Sequence, residues 1–384
     1  MPGQPFGYAS SKKTYFYPLP MKLLRLANTL NQTSAPFNQF TLGFKESIDQ
    51  TYCSLKKNDI PAEDGLKMLH ANGSILGLIK LIRNLLVKNN YDIVHIHSGI
   101  TGIIFLIALF PLRFSLLKKT VFTLHNSWSV LKLRNQILNI IVMFFVEKVC
   151  TCGQASKDSI PFFLNILLKK KITAAVNGFD HHRIDRIQQM RNPRRHFSKD
   201  QNIKILCVGA LNKTKNQIAL IKALKEIKID AEIIFLGDGP NKEILMNASR
   251  GIYSDCKTVF KGRVSRDLTI EHMLEADISI SLSKGEGLPI AILESMYAGC
   301  FLILSDIPPH KEIQPPSNRC IFIDSSKKFE AAQSLTLAIN NISKIRHEKD
   351  TSRTYSVQRF GLDNMLSEYK KVYQMLSDSE IHSR

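Results

Sequence analysis

Between residues 203 and 324, short β-rich runs alternate with stretches of helical periodicity, and that rhythm admits few folds. The runs cover 204–209, 231–237, 258–264, 277–283, 301–306 and 320–324. Helical spacing fills 216–227, 241–251, 266–276 and 289–298, with Ile218, Ile221, Leu224 and Ile227 on one face of the first. Parallel strands need a crossover, and a helix in the crossover covers the sheet. The sequence therefore predicts an α/β, doubly wound parallel sheet, and six strands complete one Rossmann-like domain.

The chain has 384 residues, too many for one ordinary core, so a second domain is expected. The first half repeats the theme less clearly. Strands are expected at 23–29, 93–97, 120–124 and 149–152, and a helix at 75–88. A polar, basic stretch from 191 to 202 contains Pro193 and reads as a linker. The expected organisation is a disordered extension over 1–20, a first domain over 21–190, the linker, a second domain over 203–355, and a C-terminal segment over 356–384. In that last segment Met365, Leu366, Tyr369, Val372 and Leu376 share a helix face that can pack back toward the first domain.

Charge and cysteine usage narrow the setting. The chain carries 52 Lys+Arg against 33 Asp+Glu, a net +19, which predicts an anionic partner: nucleic acid, phosphorylated ligand or lipid. The excess sits in the first half. Seven cysteines without paired spacing argue against a disulfide framework and for a reducing compartment. The first twenty residues lack the apolar core of a secretory signal, and the run 103–112, broken by Pro111, is too short to span a bilayer. The apolar stretches 103–117, 137–146 and 162–168 each precede lysines, Lys118-Lys119, Lys148 and Lys169-Lys170-Lys171. They read either as buried helices with solvated basic ends or as a surface that docks on an anionic leaflet.

The segment 281–299 carries the most chemistry. It follows an apolar strand, has Pro289 suited to a first helical position and Gly299 suited to the left-handed residue after a helix. The amides of Gly287 and Leu288 then form an anion cradle at a strand's carboxyl end. Glu286 and Glu294 flank the cradle, and two carboxylates beside a phosphate site suggest a ligand that also bears hydroxyls. Each is alternatively an ordinary helix-start or solvated carboxylate. Lys215 falls where the strand 203–209 gives way to the next helix and can neutralise a diphosphate, with Lys213 as a substitute; a solvated lysine is the alternative. The glycines of Gly237-Asp-Gly-Pro240 and Gly262-Arg263-Val264 permit close approach or make turns. In the first half, His97 and His125 each end a strand, where packed histidines are common.

Taken together, Val208-Gly209, Lys215-Asn216, Gly237-Asp-Gly-Pro240, Phe260-Lys-Gly-Arg-Val264, Glu286-Gly-Leu-Pro289, Leu293-Glu-Ser-Met-Tyr-Ala-Gly299 and Ser305-Asp306 resemble the donor-binding domain of the family 4 glycosyltransferases. The resemblance covers most of 203–315 and extends into the first half. It implies a GT-B fold, two Rossmann-like domains facing across a cleft. By position, Glu286 would touch the donor sugar, Glu294 the ribose, Gly287 and Leu288 the distal phosphate and sugar, and Lys215, beside Gly209, the diphosphate. The backbone near Arg263 and Val264 would hold the base, and His125, favoured over His97, would face the sugar. Asn177-Gly-Phe-Asp180 is a positional landmark. The family often has arginine after the glycine aligned with Gly209; Ala210 stands there, so Lys215 has more charge to balance. The family's glycine-rich loop is replaced by 33–39.

The resemblance implies a retaining, metal-independent hexosyltransferase. It would take a UDP- or GDP-linked sugar as co-substrate, with no other cofactor and no metal site. The acceptor would be a lipid-linked saccharide in bacterial surface polysaccharide assembly, on the cytoplasmic side and peripheral to the inner face of the membrane. Nucleic acid is not an expected partner, since the common binding modules are missing. A nucleotide-sugar epimerase or phosphorylase of the same fold, or a catalytically dead nucleotide-sugar-binding subunit, is the alternative.

Overall fold

The computed structural model describes residues 21–31, 36–57, 66–110, 114–191, 202–253, 255–348 and 352–378. The extension expected over 1–20, and all of the expected linker except Arg191 and Asn202, lie outside these. Among the described residues are thirteen strands in two sheets, with every strand pair parallel.

The first sheet contains β1 (Lys22–Ala27), β2 (Asp49–Ser54), β3 (Lys67–His70), β4 (Ile93–Ile96), β5 (Thr120–Leu124), β6 (Lys148–Thr151) and β7 (Ile172–Ala174) in the order β3-β2-β1-β4-β5-β6-β7. Helices α1 (Ile75–Lys88), α2 (Gly99–Leu109), α3 (Leu133–Phe145), α4 (Gln154–Asp158), α5 (Phe162–Leu167) and α6 (His181–Met190) accompany it. Ser74 caps α1 by accepting from the Gly77 N–H, and Leu78, Ile82, Leu85 and Leu86 form its buried stripe. Strand β2 escapes a hydrophobicity reading because it buries polar residues. Gln50 there accepts from Arg25 Nε at 2.7 Å and donates to the Thr41 carbonyl at 3.1 Å.

The second sheet contains β8 (Ile203–Val208), β9 (Ala231–Leu236), β10 (Cys256–Gly262), β11 (Ile278–Ser281), β12 (Phe301–Ser305) and β13 (Cys320–Ile323) in the order β10-β9-β8-β11-β12-β13. Its helices are α7 (Gln217–Leu224), α8 (Lys242–Ser249), α9 (Arg266–Glu275), α10 (Ile290–Tyr297), α11 (Pro308–Ile313), α12 (Lys328–Asn340), α13 (Ile342–His347) and α14 (Arg353–Phe360). Every strand expected in this half is present; β9, β11 and β12 are mostly buried, whereas the edge strands β10 and β13 are partly exposed.

The chain returns to the first sheet through α15 (Leu362–Asp378). Met365, Tyr369, Tyr373 and Leu376 of α15 join Leu23, Ile93, Val121 and Cys150 in one core. The three apolar stretches of the first half are only partly buried. Phe105, Leu109, Val142, Met143 and Leu164 are buried in the core, while Phe110, Phe114, Ile137, Phe145, Phe162 and Phe163 remain exposed, so burial accounts for one face of these stretches and not for the other.

Candidate active site

The order of the second sheet reverses between β8 and β11, and ligands of doubly wound sheets enter the crevice beyond the carboxyl ends at such a point. Lys215 follows β8 and Glu286 follows β11, so topology brings an ammonium and a carboxylate together. Lys215 Nζ lies 2.6 Å from Oε1 and 2.7 Å from Oε2 of Glu286. Ser283 Oγ donates to the same Oε1 at 2.6 Å, and Asn212 Oδ1 accepts from the Lys215 backbone N–H at 2.9 Å. Glu286 is buried and Lys215 half-buried. The two residues assigned to sugar and diphosphate thus form one ion pair. Desolvation offsets much of the attraction in such a pair, so a ligand bearing both anionic and hydroxyl groups can replace each partner at modest net cost.

A cavity of about 290 Å³ opens beside this pair, lined by Gly209, Ala210, Arg263, Val264, Arg266 and, from the first domain, Gln39. Gly209 has φ 145° and Gly237 φ 142°, both in the region that favours glycine. A Cβ on Gly237 would stand 2.0 Å from the Gly209 carbonyl oxygen, so close approach of two strand ends is the reason for that glycine.

Glu294 lies in the second turn of α10, whose first residue is Ile290; the interval from Glu286 is therefore loop followed by one turn. Pro289 stands one position earlier than expected, at the N-cap, while Gly299 takes φ 87° just past the helix end. Glu294 is buried and ion-paired with Arg266, at the start of α9. Burial holds the Arg266 guanidinium down to about 10. Only one carboxylate oxygen is engaged: Oε2 of Glu294 is buried with no partner among the described residues.

The loop before α10 presses on the first domain. A Cβ on Gly287 would come within 2.3 Å of the His125 carbonyl oxygen, and one on Gly285 within 2.0 Å of Val130. Ser127 N–H donates to the Glu286 carbonyl at 3.0 Å, and Asn177 Nδ2 donates to that of Leu288 at 3.1 Å. The Leu288 N–H faces the Cys152 thiol, which burial pushes up to about 11. Asn177, expected as a landmark, therefore also ties the two domains together.

His97 and His125 follow the paired strands β4 and β5 and meet, His97 Nδ1 to His125 Nε2 at 3.1 Å. Burial lowers His125 to about 4 and His97 well below its usual range, so both are neutral at pH 7. Phe40 packs edge-on against both rings.

Two lining residues were not read from the sequence. Arg266 gives no local signal, because its partner is 28 residues away. Gln39 falls in the segment that replaces the glycine-rich loop; it is buried, and its Oε1 has no partner among the described residues.

The sequence pattern of the glycosyl transferases group 1 family matches residues 188–353. The capsular polysaccharide biosynthesis glycosyltransferase CapH of Staphylococcus aureus is 26% identical over 258 residues, 64% of this chain and 67% of that protein. The N-acetyl-alpha-D-glucosaminyl L-malate synthase of Bacillus anthracis is 20% identical over 301 residues, 78% of each. Among solved structures, the sucrose-phosphate synthase of Thermosynechococcus elongatus superposes with a TM-score of 0.74 at 12% identity, covering 94% of this chain and all of that one. HepE of Anabaena, in complex with UDP and glucose, gives 0.71 at 16%, covering 92% and 100%. Two parallel Rossmann-like sheets with a shared cleft define the GT-B architecture, and this chain has it. Its residues 188–353 match the group 1 glycosyltransferases, and with these relatives the chain is a glycosyltransferase enzyme.

Proposed function

We propose that the protein transfers a hexose-type sugar, with retention, from a UDP- or GDP-linked donor to a hydroxyl of a lipid-linked saccharide during surface polysaccharide assembly. The observation that carries this reading is the Lys215–Glu286 pair at the switch point, beside a cavity walled by Gly209, Arg263 and Val264. In it the base lies near Arg263 and Val264, the ribose on the unpartnered oxygen of Glu294, and the diphosphate takes Lys215 from Glu286. Glu286 then accepts from sugar hydroxyls, with Gly287 and Leu288 beneath the distal phosphate. Neutral His125 is a hydrogen-bonding partner for the sugar from across the cleft.

The acceptor hydroxyl attacks from the face the diphosphate leaves, through an oxocarbenium-like transition state. Catalysis comes from positioning and from charge stabilisation of the leaving group by Lys215 and the α10 N-terminus. Nothing beyond the donor is required as cofactor, and we expect chelators to leave the rate unchanged. The names of relatives support the setting: CapH is a capsular polysaccharide enzyme, and a Campylobacter jejuni relative, 28% identical over 102 residues, is named for a diphospho-undecaprenol-linked acceptor.

A peripheral site on the cytoplasmic leaflet is part of the proposal. No helix among the described residues is long and apolar enough to cross a membrane. Exposed Phe162, Phe163, Ile166 and Leu167 of α5 stand just before Lys169-Lys170-Lys171, an apolar surface with a cationic rim. Vesicles containing anionic lipid should sediment the protein at low salt and release it at high salt; indifference to them removes this part.

The main test is a panel of nucleotide sugars. A cognate donor should raise the melting temperature, and product analysis with labelled donor should show the sugar on the acceptor, separating transfer from epimerisation or phosphorolysis. Lys215→Met should lower kcat by a factor of about 100 to 1000, typical for loss of one group that stabilises developing charge. Wild-type turnover in that variant sinks the mechanism.

A further inference from the structure

A second cavity, of about 360 Å³, lies in the first domain beside His125. His97 and His125 form part of its wall, and Asn28, Asn126, Asn135 and Asn139 supply uncharged polar groups. Its charged lining residues are Lys56, after β2, and Arg134, in the first turn of α3; no carboxylate lines it among the described residues. Both cations are exposed. The N-terminus of α2, capped by Ser98, also opens on it and adds positive potential.

The same helix continues into an apolar surface. Along α3, Arg134, Asn135, Leu138 and Asn139 face the cavity, while Leu133, Ile137, Ile141 and Phe144, at spacings of four, four and three, form the adjoining stripe and are exposed. An α-helix turns once in about 3.6 residues, so the two stripes share an edge. Lys171 Nζ donates to the Phe144 and Val146 carbonyls at 2.8 Å each, joining the end of α3 to the lysine run that follows α5.

We infer that this cavity receives an acceptor whose anionic diphosphate sits between Lys56 and Arg134, with the sugar inward toward His125 and a prenyl chain along the exposed stripe of α3. This rests on the glycosyl-transfer reading and narrows it: the reacting hydroxyl belongs to a saccharide short enough for its diphosphate linkage to remain at the cavity mouth. A neutral acceptor leaves both cations without a purpose, and a small soluble anion leaves the apolar stripe without one.

Farnesyl diphosphate is a soluble probe of this seat, and calorimetry can measure its binding to the full-length protein. Loss of charge-assisted hydrogen bonds should weaken its Kd about tenfold or more in Lys56→Gln/Arg134→Gln. Both residues are exposed, so the variant should fold, and an unchanged nucleotide-induced melting shift checks this. Lys215→Gln should leave farnesyl diphosphate binding unchanged. Inorganic pyrophosphate and L-malate should bind at least about tenfold more weakly, since neither buries a chain on α3. The inference is overturned if the double variant binds as wild type does, if Lys215→Gln abolishes binding, or if either small anion binds equally well. Failure of every nucleotide to bind, with farnesyl diphosphate still lost in the double variant, would instead remove the donor reading and leave the seat in place.

Discussion

Glu294 does two jobs with two oxygens. One neutralises the Arg266 guanidinium, and the other is buried with no partner among the described residues, which leaves it able to accept from the proposed ribose. Truncation to alanine strands a cation in the interior, which typically costs about 3–5 kcal/mol. Glu294→Ala should therefore melt well below wild type and lose any melting shift from nucleotide. Removing both charges together, as in Glu294→Leu/Arg266→Met, should recover most of the stability without recovering the shift, since paired buried charges can be replaced by apolar groups at little net cost. Thermal unfolding of the variants with and without nucleotide separates the roles. A double variant that still responds to nucleotide would show that the carboxylate does not hold the ribose.

At the scale of elements, the loop between β11 and α10 packs directly against the first domain. Gly287 has neighbours on two sides, the His125 carbonyl oxygen and Cys152 Sγ, at 2.3 and 2.6 Å from the position of a Cβ. Neither can swing away as a flexible side chain would. Gly287→Ala should therefore separate the loop from the first domain, weaken the Ser127 contact to the Glu286 carbonyl, and lower kcat/KM by about two orders of magnitude, as misplacement by an ångström can. Gly73→Ala is the control: it has φ 86° but open space, so it should cost only about 1 kcal/mol and leave kcat/KM alone. Equal activity of Gly287→Ala and wild type would rule out the close approach. The sequence signalled this loop clearly because its proline, glycines and carboxylates lie within a few residues of one another. The six strands of the second sheet were equally legible, each being a short β-rich run between helical stretches. Less could be read in the first domain, where β2 pairs buried Gln50 with buried Arg25 and so looks polar, and where β3 and β7 are too short for periodicity. Arg266 was beyond reach for a different reason: a contact across 28 residues leaves no local pattern.

In the whole molecule, α15 carries the chain back from the second sheet to pack on the first. Arg25, at the centre of β1, is fully buried; Gln50 Oε1, His95 Nδ1 at 2.9 Å and Tyr373 Oη at 3.2 Å surround it. Phe40 and Phe44 cover the guanidinium at 5.3 and 5.4 Å. His95 Nδ1 also meets Tyr373 Oη at 2.7 Å, so a proton on that ring would face a fixed cation. Burial, then Arg25, holds His95 well below 6.5; burial does the same to His97 and takes His125 to about 4. All three are neutral in the native state and bind protons on unfolding once the pH falls below about 6.5. Their contribution is thus complete above that pH and is lost as acid is added, with a slope of up to about 1.4 kcal/mol per pH unit for each group until its native pKa is reached. The melting temperature should fall steadily from pH 7 to pH 5, and His95→Asn, whatever its own cost at pH 7, should flatten that fall. Ending the chain after Gly361 should expose Leu23, Ile93 and Val121, remove Tyr373 from Arg25, and make the first domain melt before the second. A melting temperature that is level or rises between pH 7 and 5 would show that the buried histidines are not held neutral by the fold.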